Sequence, residues 1–442
     1  MGSNSTIIHV IEALREARLR TLALVADLTD EQMMGSRLEI VNPLLWEIGH
    51  VAWFQEYWAL RHLNGLSPIL PNGDALYDSA KVAHETRWDI PLPSRTQTLA
   101  YLQDVLDRII DRGPAKDADG KAAYFLTLGL FHEDMHDEAF GYTRQTLGYP
   151  KPSFHSVGET PQSTEDSATQ GSLAAQSGDT QIPGGRFLLG SVPDRPFVFD
   201  NEMNRHEVEV KPFSISKTAV TNAEFAEFVD GRGYERREFW SDAGWRWRES
   251  VSAEHPVYWQ RESNEWFRRN FDQIGPLEDY LPVLHVNWYE ADAFCRWARR
   301  RLPSEAEWEM AASAEPTTDG RVISEHERRF PWGVEAPKAN RANLDWRAGG
   351  CIDVRALAEG DSAFGCRQMI GNVWEWTASD FNPYPGFVPG PYKEYSAPWF
   401  GNHKVLRGGC WATRSRLIHS RYRNFYTPDR RDVWAGFRTC AF

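Results

Sequence analysis

The chain has 442 residues and carries 49 Lys and Arg against 62 Asp and Glu, a formal net charge of −13. No basic field exists to draw in nucleic acid or anionic lipid. Hydrophobic residues make up 41% and charged residues 25%, the balance of a globular protein with room for more than one core, and no apolar run approaches the length that spans a bilayer.

Five cysteines without a CxxC spacing argue against a disulfide framework and a cysteine-ligated zinc site. No basic-then-apolar leader is present, and a reducing cytoplasm is the expected setting. Nineteen tryptophans predict irregular, loop-rich packing or aromatic-lined pockets.

The first 150 residues read as helical. Ile7 to Leu28 carries apolar residues at helical spacing, at Ile8, Ile11, Leu14, Leu22 and Val25. A second helix is predicted from Asn42-Pro43, an N-cap followed by a first-turn proline, towards Leu63. A third spans roughly Thr96 to Arg112 and a fourth roughly Gly120 to Leu147. Four such helices predict an antiparallel bundle over residues 1–153. Residues 154–182 hold almost no large apolar side chain after Phe154 and read as a linker. From 183 to 442 the texture is short strands, many Gly, Pro and Trp, and one clear helix at Trp288 to Arg300. The expectation there is an α+β domain with much irregular structure.

The fourth helix contains LFHEDMHDEAF. His132 and His136 are four apart, hence one turn apart on one face. They share an inward stripe with Phe125, Leu128, Met135 and Ala139. His50 lies in LLWEIGHVAWFQEYW, which is apolar on nearly all sides and therefore buried. An isolated His-x3-His or a single buried histidine is more often plain packing. Three inward histidines on two helices of one bundle make a candidate site for one divalent metal. Glu138, beside the pair, is either a partner orienting a ring or a solvated charge. Three neutral ligands with open positions suit hydrolytic zinc and O2-activating Fe(II) equally.

The first half, with His50 and His132-x3-His136, resembles the DinB-like metal-binding bundles. The second half resembles the formylglycine-generating-enzyme domain, a variant C-type-lectin fold. Its marks are FDNEMNRHEVEV (199–210), LPSEAEWEMAA (302–312), GNVWEW (371–376), VLRGGCW (405–411) and GFR (436–438). Their fusion is similar to the ergothioneine-type sulfoxide synthases, which couple hercynine to a thiol at the imidazole carbon. The resemblance implies a non-haem Fe(II) on the three histidines and O2 as oxidant. It also implies substrate contacts from an Arg-Asn-aromatic loop, here Arg423, Asn424, Phe425 and Tyr426. Aromatic faces and a polar oxygen are what a quaternary ammonium requires. Trp411 is a further candidate for the pocket lining. A proton-donating tyrosine is expected in YPGFVPGPYKEY, with Tyr384 and Tyr392 as candidates beside Tyr395.

Two departures bear on the donor. Where that family carries glutamines between the second and third histidines, this chain has Glu133, Asp134 and Met135, with Met135 the candidate for substrate contact. Where its thiol-peptide arginines stand, this chain has DSAKVAHETRWDIPLPS (78–94), leaving Arg87 and His84. That segment, with VNPLLWEIGHVAWFQEYW, resembles the selenoneine-synthase branch, which implies a selenosugar donor in place of γ-glutamyl-cysteine or cysteine. Three other readings stand beside it. A formylglycine-generating oxidase needs a cysteine pair where this chain has Thr413 and Ile418. A DinB-type zinc thiol transferase leaves the second domain without a role. A non-enzymatic ligand-binding module leaves the histidines unexplained.

Overall fold

The computed structural model describes residues 3–112, 120–154, 178–193 and 197–442, with side chains from Ile7 onward. The chain divides into two compact units, one of residues 1–157 with 193–198, the other of 158–192 with 199–442. Most of the expected linker, residues 155–177, lies outside the described residues.

The first unit is built from α1 (Ser3–Val25), α2 (Asp30–Met34), α3 (Leu44–Gln55), α4 (Gly73–Tyr77), α5 (Arg95–Asp111) and α6 (Lys121–Leu147). Here α1 packs along α6, while α3 packs against α5 and α6. Ser94 and Gln97 form a reciprocal capping box that starts α5. Gly148, at φ 68°, ends α6 in the left-handed conformation that glycine adopts without a Cβ penalty. The start of α3 differs from expectation. Pro43, whose side chain has no acceptor, is its N-cap, and the Asn42 side-chain oxygen accepts from Arg87 at 2.6 Å. Beyond Gln55 the helix widens into a π-helical turn, Glu56–His62. Phe197, distant in sequence, packs on Tyr124 and Phe131 of α6 in this same unit.

One buried polar network ties the bundle together. The Arg18 guanidinium donates to Glu133 at 2.9 Å and to Gln55 at 2.9 Å, and Gln55 donates to Glu133 at 2.7 Å. The Thr21 hydroxyl lies 2.8 Å from both Glu133 and Asp137. A hydroxyl has one proton to give. Burial and the Glu133 charge raise the Asp137 carboxyl well above its usual range, so a protonated Asp137 can donate to Thr21, which donates on to Glu133.

The second unit centres on a four-stranded sheet in the order Asn424–Tyr426, Lys404–Arg407, Trp374–Asp380, Ala435–Gly436, antiparallel except for the last pair. Asp179–Ile182 pairs with Phe213–Ser216, and Gly185–Leu189 with His206–Val210. The last residues of the expected linker, from Asp179, are therefore strand. A three-stranded sheet (Trp259–Glu262, Glu265–Asn270, Gln273–Pro276) and the pair Ala314–Pro316 with Ile323–Glu327 complete the β-structure described.

One helix was expected in this half. The structure adds α7 (Asn222–Asp230), α8 (Asp242–Ser250) and α10 (Glu305–Ser313) to α9 (Trp288–Trp297). The first, third and fourth of these begin with capping boxes, Thr221 with Glu224, Asn287 with Glu290, and Ser304 with Glu307.

The strings that mark the family hold this domain together. Glu375, in GNVWEW, accepts from the Trp308 indole at 2.7 Å and from Arg438 at 2.6 and 2.8 Å. Glu305 accepts from Arg407 and Arg423, and Glu309 also pairs with Arg407. Two buried carboxylates thus face two buried guanidiniums, the balance that makes burial of charge tolerable. Gly371 sits at φ +84°, and a Cβ there would stand 2.5 Å from the Asn343 carbonyl oxygen. All five cysteines are free thiols, four of them buried. No described helix is long and apolar enough to cross a membrane.

Candidate metal centre

Helices α3 and α6 bring the three expected histidines together. One ring nitrogen from each of His50, His132 and His136 lies within 4.8 Å of the others, close enough to be drawn onto one ion. Their ring centroids are 5.0, 5.1 and 4.5 Å apart. Burial, with the neighbouring His136 as the next cause, holds the imidazoles of His50 and His132 well below their ordinary pKa. Both are therefore neutral at physiological pH, the form that ligates.

Two of the rings are fixed through Nδ1. His50 Nδ1 lies 2.7 Å from the Tyr77 carbonyl, one of the end carbonyls of α4 that no helical N–H can satisfy. His136 Nδ1 lies 2.7 Å from a Glu47 carboxylate oxygen. Protonation of Nδ1 in each ring leaves Nε2 as the free lone pair. His132 stacks face to face on Phe54, at 3.6 Å and 6°. Gly49 lets α4 come this close, since a Cβ there would lie 2.2 Å from the Tyr77 ring. Three convergent imidazoles, two with the tautomer set for Nε2 ligation, fit a divalent transition metal with positions left open for substrates.

Glu47 is the residue that sequence reasoning missed. It sits one turn before His50 in LLWEIGH, and its isolation among apolar residues was the available signal. Glu138, the candidate weighed for this role, is buried on α6, but the carboxylate on His136 is that of Glu47. The Glu133 carboxylate is engaged in the Arg18 network. Met135 is half-buried.

Arg87 lies beside the centre. Its guanidinium covers Trp46 at 3.9 Å, and Trp46 is stacked on His50 at 5.0 Å and 9°. Burial lowers Arg87 to about 10, so it stays charged at neutral pH. His84, three residues before it, is turned to the Val41 carbonyl at 2.7 Å with its ring against Trp88. The ring is thus engaged in holding the loop.

The candidates of the second unit divide by environment. Tyr384 is buried, donates to Glu305 at 3.1 Å and lies under the Arg423 guanidinium at 4.0 Å. It is packed within the buried core of the domain. Trp411 is likewise 2% exposed, packed on Trp346 and Trp434 at 4.5 and 4.4 Å. Arg423 is buried on Glu305 and on the carbonyls of Asn201 and Asn382, so it secures the fold. Asn424, Phe425 and Tyr426, expected in a loop, form an edge strand. Asn424 accepts from the next backbone N–H at 2.8 Å. Phe425 stacks on Phe381 at 4.0 Å and meets Tyr395 and His403 at 5.7 and 5.8 Å, and Tyr426 carries Arg430 at 5.1 Å. Tyr392 is half-buried, with Tyr395 at 5.9 Å. Thr413 bonds the Cys410 backbone N–H at 2.9 Å where a formylglycine-generating oxidase would carry a reactive cysteine.

Comparison with known proteins gives a separate match for each half of the chain. Residues 13–139 match the DinB superfamily, and residues 166–441 match the sulfatase-modifying factor enzyme 1-like domain. The hercynine oxygenase of Mycolicibacterium smegmatis is 34% identical over 443 residues, covering 97% of both chains. That of Mycolicibacterium thermoresistibile is 36% identical over 436 residues, covering 96% of this chain and 93% of its own. The formylglycine-generating enzyme of Streptomyces coelicolor is 32% identical over 297 residues, 60% of this chain and 88% of its own. Because the first two likenesses run the length of both domains, the chain belongs to the hercynine oxygenase family, in which a DinB bundle is joined to a sulfatase-modifying-factor domain.

Proposed function

We propose that this chain is a non-haem iron synthase that uses O2 to join a chalcogen donor to the imidazole carbon of hercynine. The family makes it an oxidoreductase acting on small molecules. The observation that carries the reading is the convergence of His50, His132 and His136 within a chain that matches hercynine oxygenases from end to end. Iron(II) held by His50, His132 and His136 would supply O2 activation and favour the deprotonated thiol or selenol.

The chain's own residues do the holding. His50 and His136 present Nε2 because Tyr77 and Glu47 keep the protons on Nδ1. The near-complete burial of His50 and His132 keeps water from those ligands, while His136, with 19% of its side chain exposed, is the ring that solvent reaches. Arg87, charged and pinned on Trp46, suits an anionic or hydroxyl-rich donor. Asn424, Phe425 and Tyr426 are proposed to meet the trimethylammonium group. Tyr392 is the proposed proton donor, with Tyr384 set aside.

For the donor we favour a selenosugar, giving a selenoneine synthase. What supports it is the segment 78–94, which keeps Arg87 but lacks the Arg/Pro-rich motif of the thiol-peptide users. The sulfur reading, with γ-glutamyl-cysteine or cysteine, is favoured by relatives whose name is hercynine oxygenase. One experiment separates them. Anaerobically Fe(II)-loaded protein is given hercynine, O2 and, in parallel, a 1-seleno-sugar, γ-glutamyl-cysteine or cysteine, and products are weighed by mass spectrometry. A seleno-adduct is the expected result. A thiol-only product overturns the selenium assignment, and no adduct with any donor overturns the synthase.

A further inference from the structure

We propose that Glu47 is a positioning residue of the metal centre whose carboxylate makes His136 a stronger donor than His50 and whose charge is balanced by the bound cation. The inference rests on the metal centre described above, but not on the identity of either substrate.

The three imidazoles are not held alike. His50 gives its Nδ1 proton to a neutral backbone carbonyl, at 2.7 Å. His136 gives its proton to a carboxylate at the same distance. An anion at Nδ1 draws that proton towards itself and pushes electron density to Nε2, so the imidazole acquires imidazolate character and binds a cation more strongly. His136 is the ligand so treated, and it is also the partly exposed one.

Charge accounting points the same way. Glu47 is 2% exposed, and its second carboxylate oxygen is buried without a hydrogen-bond partner. Among the described residues the basic group within ion-pair distance of it is the His136 imidazole, which carries no charge when its Nε2 lone pair faces a cation. Arg87 feels its field but makes no hydrogen bond or ion pair with it. A buried carboxylate without a full positive partner is a liability to a folded chain. A divalent cation on the far nitrogen of His136 supplies that positive charge across the ring. Glu47 is therefore expected to weaken the metal-free protein while strengthening the metal-bound one. A carboxylate kept only for packing would not have opposite effects on the two forms.

Glu47→Gln tests this, because Gln keeps the size and a carbonyl acceptor for His136 Nδ1 while removing the charge. Apo melting temperature, affinity for Co(II) and Fe(II) by anaerobic competition titration, and the Co(II) ligand-field spectrum are measured on the full chain. The expected result is an apo protein as stable as the unaltered one or more so, an affinity lower by roughly 10- to 100-fold, and a shifted Co(II) spectrum. Unchanged affinity and spectrum would overturn the proposal, as would an apo melting temperature that falls together with affinity. Failure of the unaltered chain to bind either ion would overturn the metal centre itself.

Discussion

Replacing Gly49 by Ala tests how tightly the fold and the metal centre are coupled. A Cβ at this position would stand 2.2 Å from two carbons of the Tyr77 ring and 2.6 Å from its hydroxyl. Ordinary contact begins near 3.4 Å, so the ring must retreat by about 1.2 Å or α3 must shift by as much. Tyr77 is fully buried, and interiors packed to crystal density resist such movement, at a cost of about 1–3 kcal/mol. Helix propensity works in the other direction, since Ala is preferred to Gly by about 1 kcal/mol. The clash should win and leave the apo protein destabilised by up to about 2 kcal/mol. Because the Tyr77 carbonyl anchors His50 at 2.7 Å, the same retreat should loosen one ligand and lower metal affinity about tenfold or more. Urea unfolding of the apo chain and a Co(II) titration read the two effects separately. Adding Tyr77→Leu, which removes the obstructing ring, should recover much of the stability lost. A Gly49→Ala chain as stable as the unaltered one, with full affinity, would refute the reasoning.

Further tests address the remaining parts of the structure. His132→Ala should lose metal and coupling together, measured by metal analysis and product mass, and retained coupling would remove His132 from the ligand set. Arg18→Met strands the Glu133 carboxylate inside the bundle and should cost about 3–5 kcal/mol in urea unfolding; a loss below about 1 kcal/mol would show that Gln55 and Thr21 suffice. Tyr384→Phe should lower stability by about 1–3 kcal/mol by removing a hydrogen bond to the buried Glu305 and leave turnover largely intact. Tyr392→Phe should do the reverse, and the opposite pattern would return Tyr384 to the site.

The histidines were legible because helix geometry puts residues four apart on one face and because His50 stood in a stretch too apolar to be exposed. Glu47 was hidden by the usual expectation that a helical carboxylate meets solvent; only its place within LLWEIGH hinted otherwise. Glu133 shows the converse. It lies between two ligands in sequence yet points about 100° away from the first of them around the helix, into a network with residues more than 70 positions distant. No local pattern could have announced those partners. The short helices α7 and α10 escaped the apolar periodicity because nine residues give it little room, though their Thr-x-x-Glu and Ser-x-x-Glu boxes were readable. Asn42 was expected as a helix cap because its local role looked sufficient, but a tertiary partner, Arg87, claims the side chain instead.

The most direct test of the central claim combines metal stoichiometry and product in one sample. Protein loaded anaerobically with Fe(II), freed of excess ion and exposed to O2, hercynine and a chalcogen donor should contain one iron per chain and release an adduct bonded at the imidazole carbon, its formation abolished by His50→Ala. An iron-loaded chain that forms no adduct, or an adduct formed equally well by the His50→Ala chain, would contradict the account.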